Sequence, residues 1–267
     1  MSSLNSSPSK QGNKLSFCVL LTVLIFSTLF FPLQAFATTL TYSTPGTFTW
    51  NCPAGVYSVT VYAWGAGGSG NASNGGANES GAGGGAFATA AVPVTCPGAY
   101  TVTVGNAISL TNGGNSWFGS STTVLAVGGT NASGSGGAGG QASNCIPTTG
   151  AYSGGNGENN DGGNGGGGAG SGGNGGNGPN SPAGGAGGIG GSIGYPGGTG
   201  GIANSFTAEG STNGSLPGGG GAGSDDYDTT DTGSLGGYGQ VILVYTVQTH
   251  QNIVGGNSTI RGNSVLN

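Results

Sequence analysis

The sequence predicts an all-β fold in which a frame of strands holds an inserted bundle of glycine-rich rods. Glycine accounts for 66 of the 267 residues, and only 4% are charged, whereas average proteins have about 7% glycine and about 25% charge. Segments with two-residue alternation lie towards both ends of the chain, and a long glycine tract separates them. Collagen is excluded, because the glycines cluster and the 11 prolines are scattered.

Alternation of apolar with small polar residues predicts the strands of the frame. The last one is almost continuously apolar, which is typical of a strand buried on both faces, so it must pair with the early strands. No helix is predicted after the leader. The predicted strand regions are 39–50 with a turn at Pro45-Gly46, 57–64, 86–95, 100–104, 121–127 and 240–247.

The glycine tract runs from Gly128 to about Gly239. Counting every third residue from Gly167 to Gly200, ten of twelve positions are glycine and the other two are proline. Polyproline II geometry has three residues per turn, so this period leaves a stripe without side chains along which rods could approach closely. The alternative is a flexible glycine linker, which has no need of period three.

Residues 1–37 have the features of a secretory signal peptide. Lys10 and Lys14 precede an apolar run from Leu15 to Phe31, and Ala35-Phe36-Ala37 is an A-x-A cleavage signature. An uncleaved membrane anchor is the alternative. We expect cleavage, which leaves a domain over 38–247 and a poorly ordered tail over 248–267.

Charge excludes several classes of partner for the mature chain. Without the leader, Arg261 is the one cation against eight acids, for a net charge of −7. Binding to nucleic acid or to anionic lipid requires clustered Lys and Arg. We therefore expect no nucleic-acid partner, and no membrane span after cleavage.

Three cysteines remain after the leader. Cys52 and Cys96 each precede a proline turn and then an alternating strand, so we expect them to form a disulfide. Cys145 is then either free or paired between chains. The alternative is that all three are buried thiols.

Several segments resemble the glycine-rich domains of bacterial surface proteins and phage tail proteins, in the order of that family. The resemblance covers about Leu40 to Val247 and implies a jelly-roll-like β-sandwich frame that carries polyglycine II helices. It does not by itself carry a function. The segments are 47–68, Gly83-Gly84-Gly85-Ala86-Phe87-Ala88, 100–105, 124–129 and 236–245.

Residues for catalysis are scarce. His250 is the only histidine and lies in the polar tail, and the mature chain has no lysine that could replace it as the base for a nucleophile. One acidic cluster has oxygens at alternating positions, as a calcium loop does, but it lacks the glycine turn and closing acid of an EF-hand. It is either a solvated loop or a calcium site, and no other cofactor is expected. The cluster consists of Asp225, Asp226, Asp228 and Asp231.

Aromatic residues are candidates for ligand contact. Trp50, Trp64 and Trp117 are expected in the core. Tyr195 and two further residues of predicted loops, Phe206 and Tyr227, are better candidates, because exposed aromatics are enriched at recognition surfaces.

The sequence therefore predicts a secreted or cell-surface structural or adhesive protein, not an enzyme, whose loops contact a glycan or protein. An ice-binding protein is the alternative, because polyproline II bundles with flat faces of small residues suit ice. A secreted hydrolase using the acidic cluster is a further alternative.

Overall fold

The fold consists of two four-stranded antiparallel sheets packed as a sandwich, with glycine-rich segments leaving one end of it. The computed structural model describes residues 37–71, 79–159, 162–180, 185, 194–203, 211–223 and 233–248. A short 3-10 turn at Ala142–Asn144 is the one helical element in this part of the chain. The strands are β1 (Ala37–Tyr42), β2 (Gly46–Cys52), β3 (Ser58–Trp64), β4 (Phe87–Pro93), β5 (Gly98–Val104), β6 (Ser116–Phe118), β7 (Val124–Ala126) and β8 (Gln240–Thr246).

The predicted all-β sandwich is confirmed. The first sheet has the order β1-β8-β3-β4 and the second has the order β2-β5-β6-β7. As predicted, the apolar last strand pairs with early strands: β8 lies between β1 and β3, with Leu243 opposite both Leu40 and Val61. Strand β6 was not predicted, because Ser116–Phe118 is too short to show alternation.

The core of the sandwich is formed by the inward-facing residues of both sheets. Trp50 and Trp64 are buried, as predicted, whereas Trp117 is half-buried on β6. The largest contributors between the sheets are Trp50, Val59, Val61, Val102, Phe118, Val124, Val241, Leu243 and Tyr245. The rings of Trp50 and Tyr245 link the two sheets, with centroids 5.2 Å apart.

The predicted disulfide between Cys52 and Cys96 is confirmed. Cys52 is the last residue of β2 and lies opposite Gly98 at the start of β5, so the bridge joins two neighbouring strands. Cys145 is free and only 2% exposed. Its burial rules out pairing with a second chain in this fold, and the same burial raises the pKa of its thiol, which favours the inert neutral form.

The glycine-rich segments do not come from one tract, as the sequence had suggested, but from three connections. These connections are β3–β4, β5–β6 and β7–β8, and all of them leave and re-enter the sandwich at the same end, where Trp64 lies opposite both Phe87 and Gln240. We call the assembled segments the glycine block. Its first segment, 65–71, and its most enclosed segment, 79–86, precede the predicted tract because β3–β4 contributes them.

Backbone hydrogen bonds in the block recur every third residue. The N–H groups of Gly65, Gly68 and Asn71 donate to the carbonyls of Ala86, Gly83 and Ser80, in the register of the β3–β4 ladder below them. The residues between them turn to other neighbours: Ala66 and Ser69 donate to Gly114 and Thr111, while Gly67 and Gly70 donate to Gly237 and Ser234. Each segment therefore bonds in several directions at once, which a flat strand does not do.

Segment 79–86 is enclosed by other segments of the block. It is completely buried and consists of glycine and alanine after Glu79-Ser80. Six segments surround it, each joined to it by at least one backbone hydrogen bond: 65–71, 127–130, 137–140, 155–158, 163–169 and 218–221. At its four glycines not even a methyl group fits, because a carbonyl oxygen of a neighbouring segment occupies the place of each missing Cβ.

The disulfide closes a loop with a sequence separation of 44 residues. We expect replacement of both cysteines by alanine to lower the free energy of unfolding by about 4 kcal/mol, because the open chain regains loop entropy. Urea unfolding measures this change. Added reductant should destabilise the parent protein and leave the double variant unchanged; a loss below about 1 kcal/mol would contradict the prediction.

We expect Gly84→Ala to be strongly destabilising, because its methyl group would overlap the carbonyl oxygen of Gly167. Overpacking of this kind costs about 3 kcal/mol, or a fall of roughly 10 °C in the midpoint of thermal unfolding. Gly134→Ala is the matched control. An added Cβ there meets nothing within 4 Å, and only its φ of +68° is unfavourable, at a cost of about 1 kcal/mol. Equal melting temperatures would show that the block is not closely packed.

Candidate functional site

The end of the glycine block away from the sandwich brings together the ends of many segments. Asn71 N–H donates to Ser80 O at 3.2 Å, Gly163 N–H to Glu79 O at 2.7 Å, and Gly223 N–H to Gly163 O at 2.9 Å. We call this region the distal end. It comprises Ser69–Asn71, Ile108–Asn112, Glu79–Ser80, Glu158, Gly163–Asn164, Ala203, Gly223 and Ser234.

Most of the buried polar side chains lie at the distal end. Asn164 is 4% exposed, its amide donates to Glu158 Oε2 at 3.2 Å, and its Oδ1 accepts from Ala203 N–H at 2.9 Å. Glu79, Ser69, Ser80 and Ser234 are also buried there, and Ser69 Oγ donates to Ser234 O at 3.3 Å. Side-chain hydrogen bonds therefore hold the segment ends in place where the regular lattice stops.

A turn at the distal end exposes two aliphatic side chains. Ile108 is 54% exposed and Leu110 is 50% exposed. Thr111 closes the turn through its N–H and Oγ1, which both donate to Ile108 O. Leu110 has a φ of +58°, an unfavourable conformation for a branched side chain. Residues held in such conformations concentrate at contact sites, so this turn is a candidate contact surface.

Two of the eight acidic residues lie at the described distal end. Glu79 and Glu158 belong to it, and the other six lie in three connections that begin and end at described residues of the distal end or next to it: 160–161, 204–210 and 224–232. The candidate contact residues Phe206 and Tyr227 are in these connections, as are Asp225, Asp226, Asp228 and Asp231. These residues and His250 lie outside the described residues, so the calcium site stays a prediction. Among the residues that the structure describes, no group of three potential metal ligands occurs.

The third candidate contact residue, Tyr195, lies at the opposite end of the block, against the outer face of the first sheet. Its ring centroid is 5.1 Å from that of Tyr62 and 6.1 Å from that of Trp64. Trp64 Nε1–H donates to Ala169 O at 3.0 Å, and Phe87 packs between Tyr62 and Tyr152. This aromatic cluster fixes the block to the frame. Tyr195 therefore contributes to internal packing, and the structure does not bring it together with the distal end.

Comparison with known proteins agrees with this architecture. The family model described as "Glycine-rich domain" matches residues 42–246, which span the sandwich and the block. The chain belongs to this glycine-rich domain family. No curated protein matches it. The match begins at the last residue of β1 and ends at the last residue of β8, so the family unit contains both the frame and the glycine segments that it holds.

Sequence reasoning missed the turn with Ile108 and Leu110. The run Asn106-Ala-Ile-Ser-Leu-Thr-Asn112 alternates like a short strand, which suggests buried aliphatic side chains. The flanking residues Gly105 and Gly113 could have indicated that this run belongs to the glycine block and not to a strand of the frame.

The pKa of Tyr62 is raised, first by its partial burial and then by the nearby Tyr195. Its folded form therefore favours the neutral hydroxyl, and the resulting stability is complete below pH 10 and lost as the pH rises through the folded pKa. We expect the free energy of unfolding of the parent to fall as the pH rises above 10. In Tyr62→Phe the fall should be smaller, as measured by urea unfolding across that range. An identical pH dependence in both proteins would contradict this assignment.

Proposed function

We propose that this protein is a secreted or cell-surface structural and adhesive protein that contacts a glycan or protein through its distal end. The observation that carries this proposal is the one-sided arrangement of the molecule. A hydrogen-bonded block separates the frame from the distal end, where the exposed side chains of Ile108 and Leu110 and the carboxylates of Glu79 and Glu158 lie.

Export is supported by the leader and by the disulfide. The first 37 residues have the pattern of a signal peptide. The Cys52–Cys96 disulfide fits an oxidising compartment outside the cytosol. In the described part of the chain, no helix has the length and apolarity that crossing a bilayer requires. The resemblance to bacterial surface and phage tail proteins agrees with display at a surface.

The rigidity of the block supports a structural role. We infer that its segments are polyglycine II helices, because their hydrogen bonds recur every third residue and point to several neighbours around each segment. Ordering glycine is costly in backbone entropy. The dense backbone hydrogen bonding and the fixed register at the sandwich offset this cost, so the block would act as a stiff spacer.

The distal end has the chemistry of a contact surface. Ile108 and Leu110 supply apolar area, and the half-buried Glu158 supplies a carboxylate, while Phe206 and Tyr227 stay contact residues predicted from the sequence. The partner should therefore combine an apolar patch with hydrogen-bond donors or positive charge. We expect no catalysis, because the chain has a single histidine and the mature chain has no lysine. Ice binding and hydrolysis stay alternative predictions from the sequence.

Leu110→Asn should show that the turn can lose its exposed side chain without loss of stability. Asparagine tolerates the left-handed conformation, so this change should raise the free energy of unfolding by about 1 kcal/mol. Combined with Ile108→Ser, it removes the exposed aliphatic pair and should release the protein from the surface of the cells that produce it into the medium. Fractionation of cells that express the full chain, with antibody detection, measures both export and retention.

The control is Tyr57→Ser, which removes an equally exposed large side chain from the frame, where Tyr57 is 57% exposed. It should leave retention at the level of the parent. Recovery of the parent protein inside the cells would disprove export. Equal retention of the parent and the Ile108/Leu110 double variant would disprove contact through the turn.

A further inference from the structure

The outer N–H groups of the glycine block donate to side chains of a neighbouring segment instead of to water. In the segment 136–140, Gly137 and Gly140 donate to backbone carbonyls of the central segment 79–86, whereas Gly136 and Gly139 donate to the Oδ1 atoms of Asn159 and Asn156, at 3.2 Å and 2.9 Å. The remaining donor, Ala138 N–H, bonds to Thr130 Oγ1. Every donor of this segment is therefore satisfied.

The same device recurs around the block with a three-residue spacing. Asn112 and Asn115 accept from the N–H groups of Asn131 and Gly128. Asn174 and Asn177 accept from the N–H groups of Ser153 and Asn156, each at 2.9 Å. The six residues form three pairs with the pattern Asn-Gly-x-Asn, at 112–115, 156–159 and 174–177, and all six are exposed.

These amides occupy the positions where the lattice would continue. Around segment 79–86, each of the six neighbouring segments is joined to it by backbone hydrogen bonds: three accept them through their carbonyls, and three donate them through their N–H groups. At the perimeter, the N–H groups that lack such a neighbour face the groove between two outer segments. The asparagine side chain of one segment crosses that groove, and its Oδ1 replaces the carbonyl oxygen that a further segment would supply.

We propose that these three asparagine pairs terminate the hydrogen-bonded block and prevent glycine segments of a second copy of this chain from adding to it. Edge strands of sheets need similar protection, which charged residues often provide. Here charge is scarce, because only 4% of the residues are charged. Backbone N–H groups that are already bonded to asparagine side chains provide the protection that charged residues provide elsewhere.

The test compares self-association in variants that keep or remove the acceptor. Asn156→Ala with Asn159→Ala frees the N–H groups of Gly136 and Gly139. We expect amide exchange at these two glycines to rise about tenfold, and the association constant of the full chain, measured by sedimentation velocity, to rise at least tenfold over that of the parent. Asn156→Asp with Asn159→Asp keeps an acceptor oxygen at both positions and should associate no more than the parent.

Asn51→Ala with Asn106→Ala is the matched control, because both asparagines are exposed but belong to none of the pairs; it should behave like the parent. Faster exchange in the alanine variant without increased association would overturn the proposal, and so would equal association of the alanine and aspartate variants. If the 156/159 alanine variant does not fold, Asn112→Ala with Asn115→Ala is compared with the matching aspartate variant. Amide exchange is then measured at Gly128 and Asn131, and association by sedimentation velocity as before.

Discussion

Close approach of one backbone to another is the constraint on which the rest of this structure depends. In the block, a carbonyl oxygen of the neighbouring segment lies where a Cβ would be, at Gly84 against Gly167 and at Gly154 against Gly84. Only glycine permits this distance, and only this distance permits hydrogen bonds in several directions around each segment. The composition of the chain follows from it: the enclosed segments are glycine and alanine, and larger side chains occur at the perimeter or at the segment ends.

The block cannot form without the frame, because ordering so many glycines costs more entropy than isolated segments could recover. The strands supply the missing order. The β3–β4 ladder passes its register directly to segments 65–71 and 79–86, so that pairing every second residue becomes pairing every third. The aromatic cluster around Trp64 and Phe87 then fixes the later segments against the outer face of the first sheet.

The disulfide and the strands other than β6 could be predicted from the sequence, because alternation and spacing are local signals. The segments 65–71 and 105–114 escaped prediction because they are too short to show a period. Which segments are neighbours could not be predicted either, since a glycine stripe is compatible with any partner. The packing of Tyr195 against the frame could not be predicted, because it depends on contacts with Tyr62 and Trp64, which are distant in the sequence. The exposure of Ile108 and Leu110 depends on a backbone turn that alternation does not reveal.

Because β8 lies between β1 and β3, the first sheet cannot form until β8 has been synthesised. Thr38 pairs with Tyr245, and β8 also supplies the second neighbour of β3, so the first sheet stays incomplete until the C-terminal strand arrives. Pairing over such a separation is slow, because a long loop must close before any contact compensates for it. A polypeptide released before β8 would lack the strand that joins β1 to β3. The edges of β1 and β3 that β8 covers would then be exposed. The first sheet is therefore completed only after β8 has been synthesised.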